Sequence, residues 1–182
     1  SEVLIKMIRI GENFVCCHYS GLITLVSKVI DKKKLDNRIS CMVKVGQFVV
    51  IGGKSIRKMI DFKDPTILIE NAHEGQYCSS LVYLGSDKLL SCTMNGEFCI
   101  WNMRQKSLIC KWKIDQKFYT VNFVQNQIWI GIDNEILIYK DDGWFVTTLK
   151  LIKEGEVVCI ENVSFNTVWI SLRHKHGKGS LI

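Results

Sequence analysis

Long hydrophobic runs are missing from this sequence, and proline is nearly absent. Apolar runs such as QFVVIGG last about six residues, far short of the roughly 18–20 that a membrane-spanning helix needs. The amino-terminal stretch SEVLIKMIRIGEN has charges inside its apolar segment and no small-residue cleavage site, so we expect no signal peptide. With one proline, Pro65, and 47% hydrophobic residues, the chain is not a disordered tail and can bury a substantial core.

Cysteine-rich loops are also missing, although the chain has eight cysteines. Most of them lie inside apolar runs that predict strands, and a chain of 182 residues does not need disulfides to hold a core. We therefore expect buried free thiols in a reducing, cytoplasmic compartment. The eight are Cys16, Cys17, Cys41, Cys78, Cys92, Cys99, Cys110 and Cys159.

The net charge of +6 is spread along the chain. Small basic clusters occur at positions 32–34 and 173–178. Nucleic-acid-binding proteins usually show a denser basic stripe. We expect neither a nucleic-acid nor a membrane partner, and a basic surface that binds nucleic acid or acidic lipid remains an alternative.

The segment LLSCTMNGEFCIWN, positions 89–102, predicts a β-hairpin. Its Asn95-Gly96 pair separates two apolar runs, and this pair favours a type I′ turn with positive φ at both residues. The same pattern recurs with starts at Asn13, Gln47, Lys88, Gln127 and Thr167, which are 34, 41, 39 and 40 residues apart. The chain therefore contains a repeat of roughly 40 residues.

Further strands flank these hairpins. Runs such as LIKMIRI and CSSLVYL precede them, and SLICKWKI and FVTTLKL follow two of them. Four strands in about 40 residues is the period of a β-propeller blade, and we find no helical stripe. We predict an all-β propeller of four-stranded antiparallel blades, with four to five blades present in a single domain, 1–182. The predicted blades are 3–38, 39–76, 77–117, 118–156 and an incomplete 157–182.

The third predicted blade resembles a WD repeat. Its sequence AHEGQYCSSLVYLGSDKLLSCTMNGEFCIWN has a His before the first strand, a Ser in the second, a tight turn, and Trp-Asn at the end of the third. The resemblance implies a hydrogen-bonded structural tetrad of His73, Ser91, Asn95 and Trp101. Asn95 replaces the family's Asp, which weakens the charge-assisted bond to His73. Asn102 is expected to cap the following turn.

A second resemblance lies in NQIWIGIDNEILIYK and NTVWISLRHKHGKGSLI, where a Trp in the second strand is followed by Gly or Ser and a short turn. These segments are similar to the divergent propellers at the carboxyl ends of Roco-family proteins, the leucine-rich-repeat kinases. The resemblance implies a segment of a larger signalling protein whose GTPase and kinase domains lie outside it.

Four nearly complete blades and a fifth that stops at its third strand fall short of the usual seven-blade WD ring. Three interpretations remain open: a piece of a larger propeller, a five-blade ring with an imperfect seam, or two half-rings that pair as a dimer. We favour a fragment that dimerises or packs through its open ends.

No catalytic constellation is apparent, and we expect no cofactor and no metal site. His174 and His176 lie in a basic turn, but a metal would need a third ligand. Loop residues are nevertheless candidate interface anchors. These are Trp144, Tyr77, Arg173, His174 and His176.

We therefore expect a non-catalytic scaffold that binds protein partners, with homodimerisation through its open ends. The alternatives are a metal- or anion-binding propeller with an enzymatic role and the basic-surface binder.

Overall fold

The computed structural model describes residues 3–27, 30–35, 38–60, 65–164, 166–174 and 179–181. Within these ranges the chain forms nineteen strands in five antiparallel sheets. The predicted all-β architecture is confirmed, with four four-stranded blades and a three-stranded fifth. No helix in the described ranges is long and apolar enough to span a membrane.

Each sheet takes its strands in chain order, and its first strand lies at one edge. Blade one contains β1 (Leu4–Ile10), β2 (Asn13–His18), β3 (Leu22–Val26) and β4 (Ile30–Lys34). Blade two contains β5 (Cys41–Val45), β6 (Phe48–Gly52), β7 (Ile56–Ile60) and β8 (Thr66–Ile69). Blade three contains β9 (Cys78–Gly85), β10 (Lys88–Thr93), β11 (Glu97–Asn102) and β12 (Ser107–Lys113). Blade four contains β13 (Thr120–Val124), β14 (Gln127–Gly131), β15 (Glu135–Lys140) and β16 (Phe145–Lys150). Blade five contains β17 (Glu156–Ser164), β18 (Thr167–Arg173) and β19 (Gly179–Leu181).

The β10–β11 hairpin is present, but its turn differs from the prediction. Gly96 has a positive φ of 78°, whereas Asn95 does not, and the Gly96 N–H donates to the Thr93 carbonyl at 3.1 Å. The connection is a three-residue loop, not a type I′ turn. The Gly96 carbonyl accepts a hydrogen bond from the Ile114 N–H at 2.9 Å, and a Cβ at position 96 would overlap the Ile114 carbonyl. A contact beyond the hairpin therefore requires glycine here.

Two other hairpins have the backbone conformation expected at Asn95-Gly96, and neither loop contains glycine. Ser86 and Asp87 have φ of 47° and 61°, and Gln125 and Asn126 have φ of 51° and 62°. These pairs join the first and second strands of blades three and four. Positive φ at both loop residues matches the right-handed twist of the flanking strands.

The core lies between blades. The first strands β1, β5, β9, β13 and β17 pack side by side in that order. Four apolar clusters fill the four spaces between consecutive blades. Successive side chains of a strand point to opposite faces of its sheet. Each inner blade therefore contributes side chains to two clusters, one on each face.

The outer faces of the two end blades are exposed. No residue of β1 is buried, whereas half of β9 is. The register places Met7 beside Cys16, and Phe14 in a row with Val26 and Ile30, on the face opposite the apolar cluster shared with blade two. Met7 is 55% exposed and Ile30 is 62% exposed. We call this surface the first-blade face; it comprises Leu4, Met7, Phe14, Val26 and Ile30.

Candidate functional site

A buried polar network lies in blade three, on the side that faces blade two. His73, in the loop between β8 and β9, is buried. Its Nε2 lies 2.8 Å from the Ser91 Oγ, which also accepts a hydrogen bond of 2.7 Å from the Trp101 Nε1–H. The His73 Nδ1 lies 2.7 Å from the Glu97 Oε1. Side chains thereby join the two strands β10 and β11 to the β8–β9 loop, and we call these four residues the His73 network.

The structure brings together His73, Ser91 and Trp101 of the predicted tetrad, but not Asn95. The Asn95 side chain is exposed in the β10–β11 loop, and Glu97 takes the place expected for it. The reason is the three-residue loop, which directs position 95 to solvent and begins β11 at Glu97. Sequence reasoning missed Glu97. Strand alternation could have identified it, since Glu97 and Trp101 lie on the same face of β11.

Asn102 behaves as predicted. Its Oδ1 accepts a hydrogen bond of 2.8 Å from the Gln105 N–H. The side chain thus caps the turn between β11 and β12.

Lys111 on β12 adds a cation to the network. Its Nζ lies 2.9 Å from the Glu97 Oε2 and 3.3 Å from the Glu74 Oε1. Partial burial would raise the pKa of the Glu97 carboxyl, but hydrogen bonds from Lys111 and His73 outweigh burial and hold this pKa below its usual value. Glu97 is therefore an anion at neutral pH and accepts hydrogen bonds from both Lys111 and His73.

We expect His73 to titrate above its ordinary value of 6.5. Burial lowers the pKa of His73, but hydrogen bonds with Cys78 and Glu97 raise it more, so the net shift is upward. A raised folded-state pKa stabilises the fold fully below the unfolded pKa, and this contribution is lost as pH rises through the folded value. Unfolding free energies measured from pH 6 to pH 9, with an NMR titration of His73, check this expectation.

The matched variant for this titration is Glu97→Gln, which removes the negative charge beside His73. The pKa of His73 should fall, and the decline of stability above pH 6.5 should become shallower. An unchanged histidine titration in Glu97→Gln would contradict the proposed coupling.

Three buried thiols surround the His73 network. The Cys41 and Cys78 Sγ atoms lie 3.5 Å apart across blades two and three, and the Cys99 Sγ lies 3.8 Å from the His73 Nδ1. Burial raises the pKa of Cys99 to about 12 and the pKa of Cys78 well above its ordinary value. The Cys78 and Cys99 thiols are therefore protonated at neutral pH, and all three side chains pack as small groups in the core.

The predicted interface anchors Trp144 and Tyr77 lie on different blades. Trp144 is 73% exposed between β15 and β16, beside Phe145. The Phe145 ring makes an edge contact of 5.4 Å with Tyr139, which stacks on Trp112 of blade three. Tyr77, just before β9, has the Lys54 Nζ at 5.9 Å from its ring centre. The structure does not unite these two residues in one site.

Arg173 lies at the end of β18, in an arrangement that sequence reasoning missed. Its Nε donates to the Glu156 Oε2 at 2.6 Å, and the Tyr119 hydroxyl donates to the Glu156 Oε1 at 2.6 Å. The hydrogen bond to Glu156 raises the pKa of Tyr119 to about 12. Arg173 and Tyr119 also line a groove of about 410 Å³ between blades three, four and five. His174 is half-buried beside Arg173, and His176 lies outside the described residues.

Comparison with known proteins identifies the fold class. No family model matches the sequence, and no curated protein matches it significantly. The chain is similar in structure to the WD40 β-propeller domain of Doa1, with a TM-score of 0.75 and 13% identity over 100% of this chain and 65% of that one. It is also similar to the computationally designed Ika8 protein (TM-score 0.75, 13% identity, 98% and 57% coverage). A third similar structure is BBS1N, solved in complex with ARL6DN (TM-score 0.72, 11% identity, 97% and 63% coverage).

The chain therefore has the fold of a WD40-type β-propeller. It spans 57–65% of the length of these solved chains. At 11–13% identity the likeness concerns the fold alone. The predicted relation to Roco-family proteins is not confirmed by these comparisons.

Proposed function

We propose that this chain is a non-catalytic protein-interaction scaffold that associates through the exposed faces of its end blades. The first-blade face carries this proposal. In the three inner blades apolar clusters lie on both faces, and exposed apolar side chains such as Ile109 and Phe145 lie on the outermost strands. In blade one the exposed apolar side chains also include Met7 on the innermost strand, together with Val26 and Ile30. Contiguous apolar surface of this kind is typical of an interface in a soluble protein.

The opposite end of the chain offers a second exposed face. On blade five, Trp169 and Val163 are about half exposed, and the register pairs Trp169 with Glu161 on the side away from blade four. The first-blade face has Arg9 in the row of Phe14 and Lys32 in the row of Cys16. Both surfaces have apolar side chains, and Glu161 on blade five is opposite in charge to Arg9 and Lys32 on blade one. These surfaces therefore suit contact between the first blade of one copy and the fifth blade of another.

This form of association is heterologous, because two different surfaces meet. A heterologous contact closes into a ring only if its rotation allows closure, and otherwise it continues from copy to copy. We propose self-association as the first form of assembly to test, and a different protein with a complementary sheet face as the alternative partner.

The test is light scattering of the 20.9 kDa chain over a range of concentrations. We expect a mass that rises to the dimer or beyond in the wild type, and a monomer in the double variant Met7→Glu, Ile30→Glu. Both positions are exposed, so the substitutions should leave the fold intact, and circular dichroism checks this point.

The matched control is Ile152→Glu. Ile152 is fully exposed in the connection between β16 and β17, so its charge should not alter the mass. A wild type that stays monomeric at every concentration would contradict self-association. Equal dissociation of the Ile152 variant would show a general charge effect instead of a specific face.

We further propose that the chain is a segment of a larger cytoplasmic signalling protein of the Roco kind. Two features support this assignment. Trp129 and Trp169 occupy the same place in the second strands of blades four and five, and all eight cysteines are free thiols, six of them buried. The test is to recover binding partners from cytoplasm with the wild-type chain and with the double variant Met7→Glu, Ile30→Glu. Partners that bind the wild type and not the variant would support this assignment.

A further inference from the structure

Three ligand atoms of different chemistry converge in blade three. The His73 Nδ1 and Glu97 Oε1 lie 2.7 Å apart, the Cys99 Sγ lies 3.8 Å from this nitrogen, and 4.0 Å separates the sulfur from the Glu97 Oε1. Among the described residues this set of His, Glu and Cys could hold a metal ion. We propose that His73, Glu97 and Cys99 form a binding site for a zinc-like divalent cation.

The distances suit this ion. The point equidistant from the three atoms lies about 2.1 Å from each, and zinc bonds are roughly 2.0–2.2 Å to nitrogen and oxygen and roughly 2.3 Å to sulfur. Tetrahedral coordination requires the His73 Nδ1 and the Glu97 Oε1 to move apart to about 3.4 Å, which replaces the hydrogen bond between them by two bonds to the metal. One nitrogen, one carboxylate oxygen and one thiolate are ligands of intermediate softness, which favour zinc over calcium or magnesium.

The surrounding residues hold these ligands in orientations that coordination needs. The His73 Nε2–H can donate to the Ser91 Oγ at 2.8 Å, so Nδ1 becomes a metal ligand once its hydrogen bond with Glu97 is given up. Lys111 binds the Glu97 Oε2, so the metal would engage the Oε1, in place of the hydrogen bond that this oxygen now makes with His73. A second hydrogen bond from each ligand to the protein is typical of metal sites, because it fixes the ligand's direction.

The charge of the ligands and the access to the site are also compatible with binding of a divalent cation. One thiolate and one carboxylate neutralise a divalent cation, and binding releases the Cys99 thiol proton and any Nδ1 proton to solvent. The Glu97 side chain is 16% exposed, whereas that of His73 is fully buried. Entry is therefore from the Glu97 side, and a water molecule from that side can fill a fourth position. The site lies in blade three, so the proposal does not depend on the end faces.

The experiment titrates the purified full chain with zinc and, as a coloured probe, with cobalt. We expect one ion per chain and a thiolate-to-cobalt charge-transfer band in the near ultraviolet. Cys99→Ser should remove this band and weaken zinc binding at least tenfold. Cys110→Ser, which alters a half-buried thiol on the opposite face of blade three, should bind as the wild type does.

A measurement on the wild type covers the case in which the Cys99 variant fails to fold. Zinc X-ray absorption should report one sulfur ligand together with nitrogen and oxygen ligands. A shell of nitrogen and oxygen alone, no stoichiometric binding, or loss of the cobalt band in Cys110→Ser would each overturn the proposal.

Discussion

Replacing Trp101 with alanine is expected to lower the free energy of unfolding by about 3–5 kcal/mol. Trp101 is 9% exposed and belongs to the apolar cluster between blades two and three. The substitution removes the largest side chain of that cluster and leaves a cavity. It also removes the indole N–H that donates to the Ser91 Oγ.

The matched variant Trp101→Phe separates these two effects. Phenylalanine retains much of the apolar volume but has no N–H donor, so we expect a smaller loss of about 1–3 kcal/mol. Denaturant unfolding monitored by circular dichroism measures all three proteins. A loss below about 1 kcal/mol in Trp101→Ala would contradict the packing role of this residue.

Phe98→Ala is expected to cost a similar amount, about 3–5 kcal/mol, at the next space between blades. The Phe98 side chain is fully buried and stacks on Trp112 at 5.3 Å between ring centres. Its ring also lies 5.1 Å from that of Phe118, in the segment between blades three and four. The substitution therefore removes contacts within blade three and between blades.

Phe145→Ala provides the matched control, since the same side chain is removed at a different depth. Phe145 is 55% exposed at the outer end of the aromatic row that continues from Trp112 through Tyr139. We expect a loss of less than about 1 kcal/mol, because more than half of this side chain already contacts water and the substitution removes little buried apolar surface. Equal losses at positions 98 and 145, measured by thermal unfolding, would show that burial does not set the cost.

Much of the strand pattern was predictable because it depends on neighbouring residues. Alternation of apolar and polar side chains identifies strands such as β10 and β11, and the recurring start positions identify the blades. The roles of Trp101 and Asn102 were also predictable from nearby residues, since the two residues end β11 and the neighbouring strand β10 carries Ser91. The hydrogen bonds of both side chains agree with that interpretation.

The candidate site was less accessible to sequence reasoning. Its carboxylate is Glu97, not Asn95, and the choice depends on the loop that Gly96 makes against Ile114, eighteen residues later in the chain. Glu156 pairs with Arg173 and Tyr119 on three different strands or loops. Contacts of this kind depend on how separate segments meet, and no local pattern contains that information.

The sequence by itself determined the class of this protein: its two-residue periodicity and its repeat of about 40 residues lead to blades of antiparallel strands. Tertiary structure decided which face of each blade is covered. Similar alternation occurs in β1 and in inner strands, yet β1 has no buried residue, and in the part of the chain that the structure describes no blade packs against its outer side. It also decided which side chains meet around His73, because their approach depends on packing between blades two and three. Local periodicity sets the strands, whereas the surfaces that stay exposed depend on which blades lie next to one another.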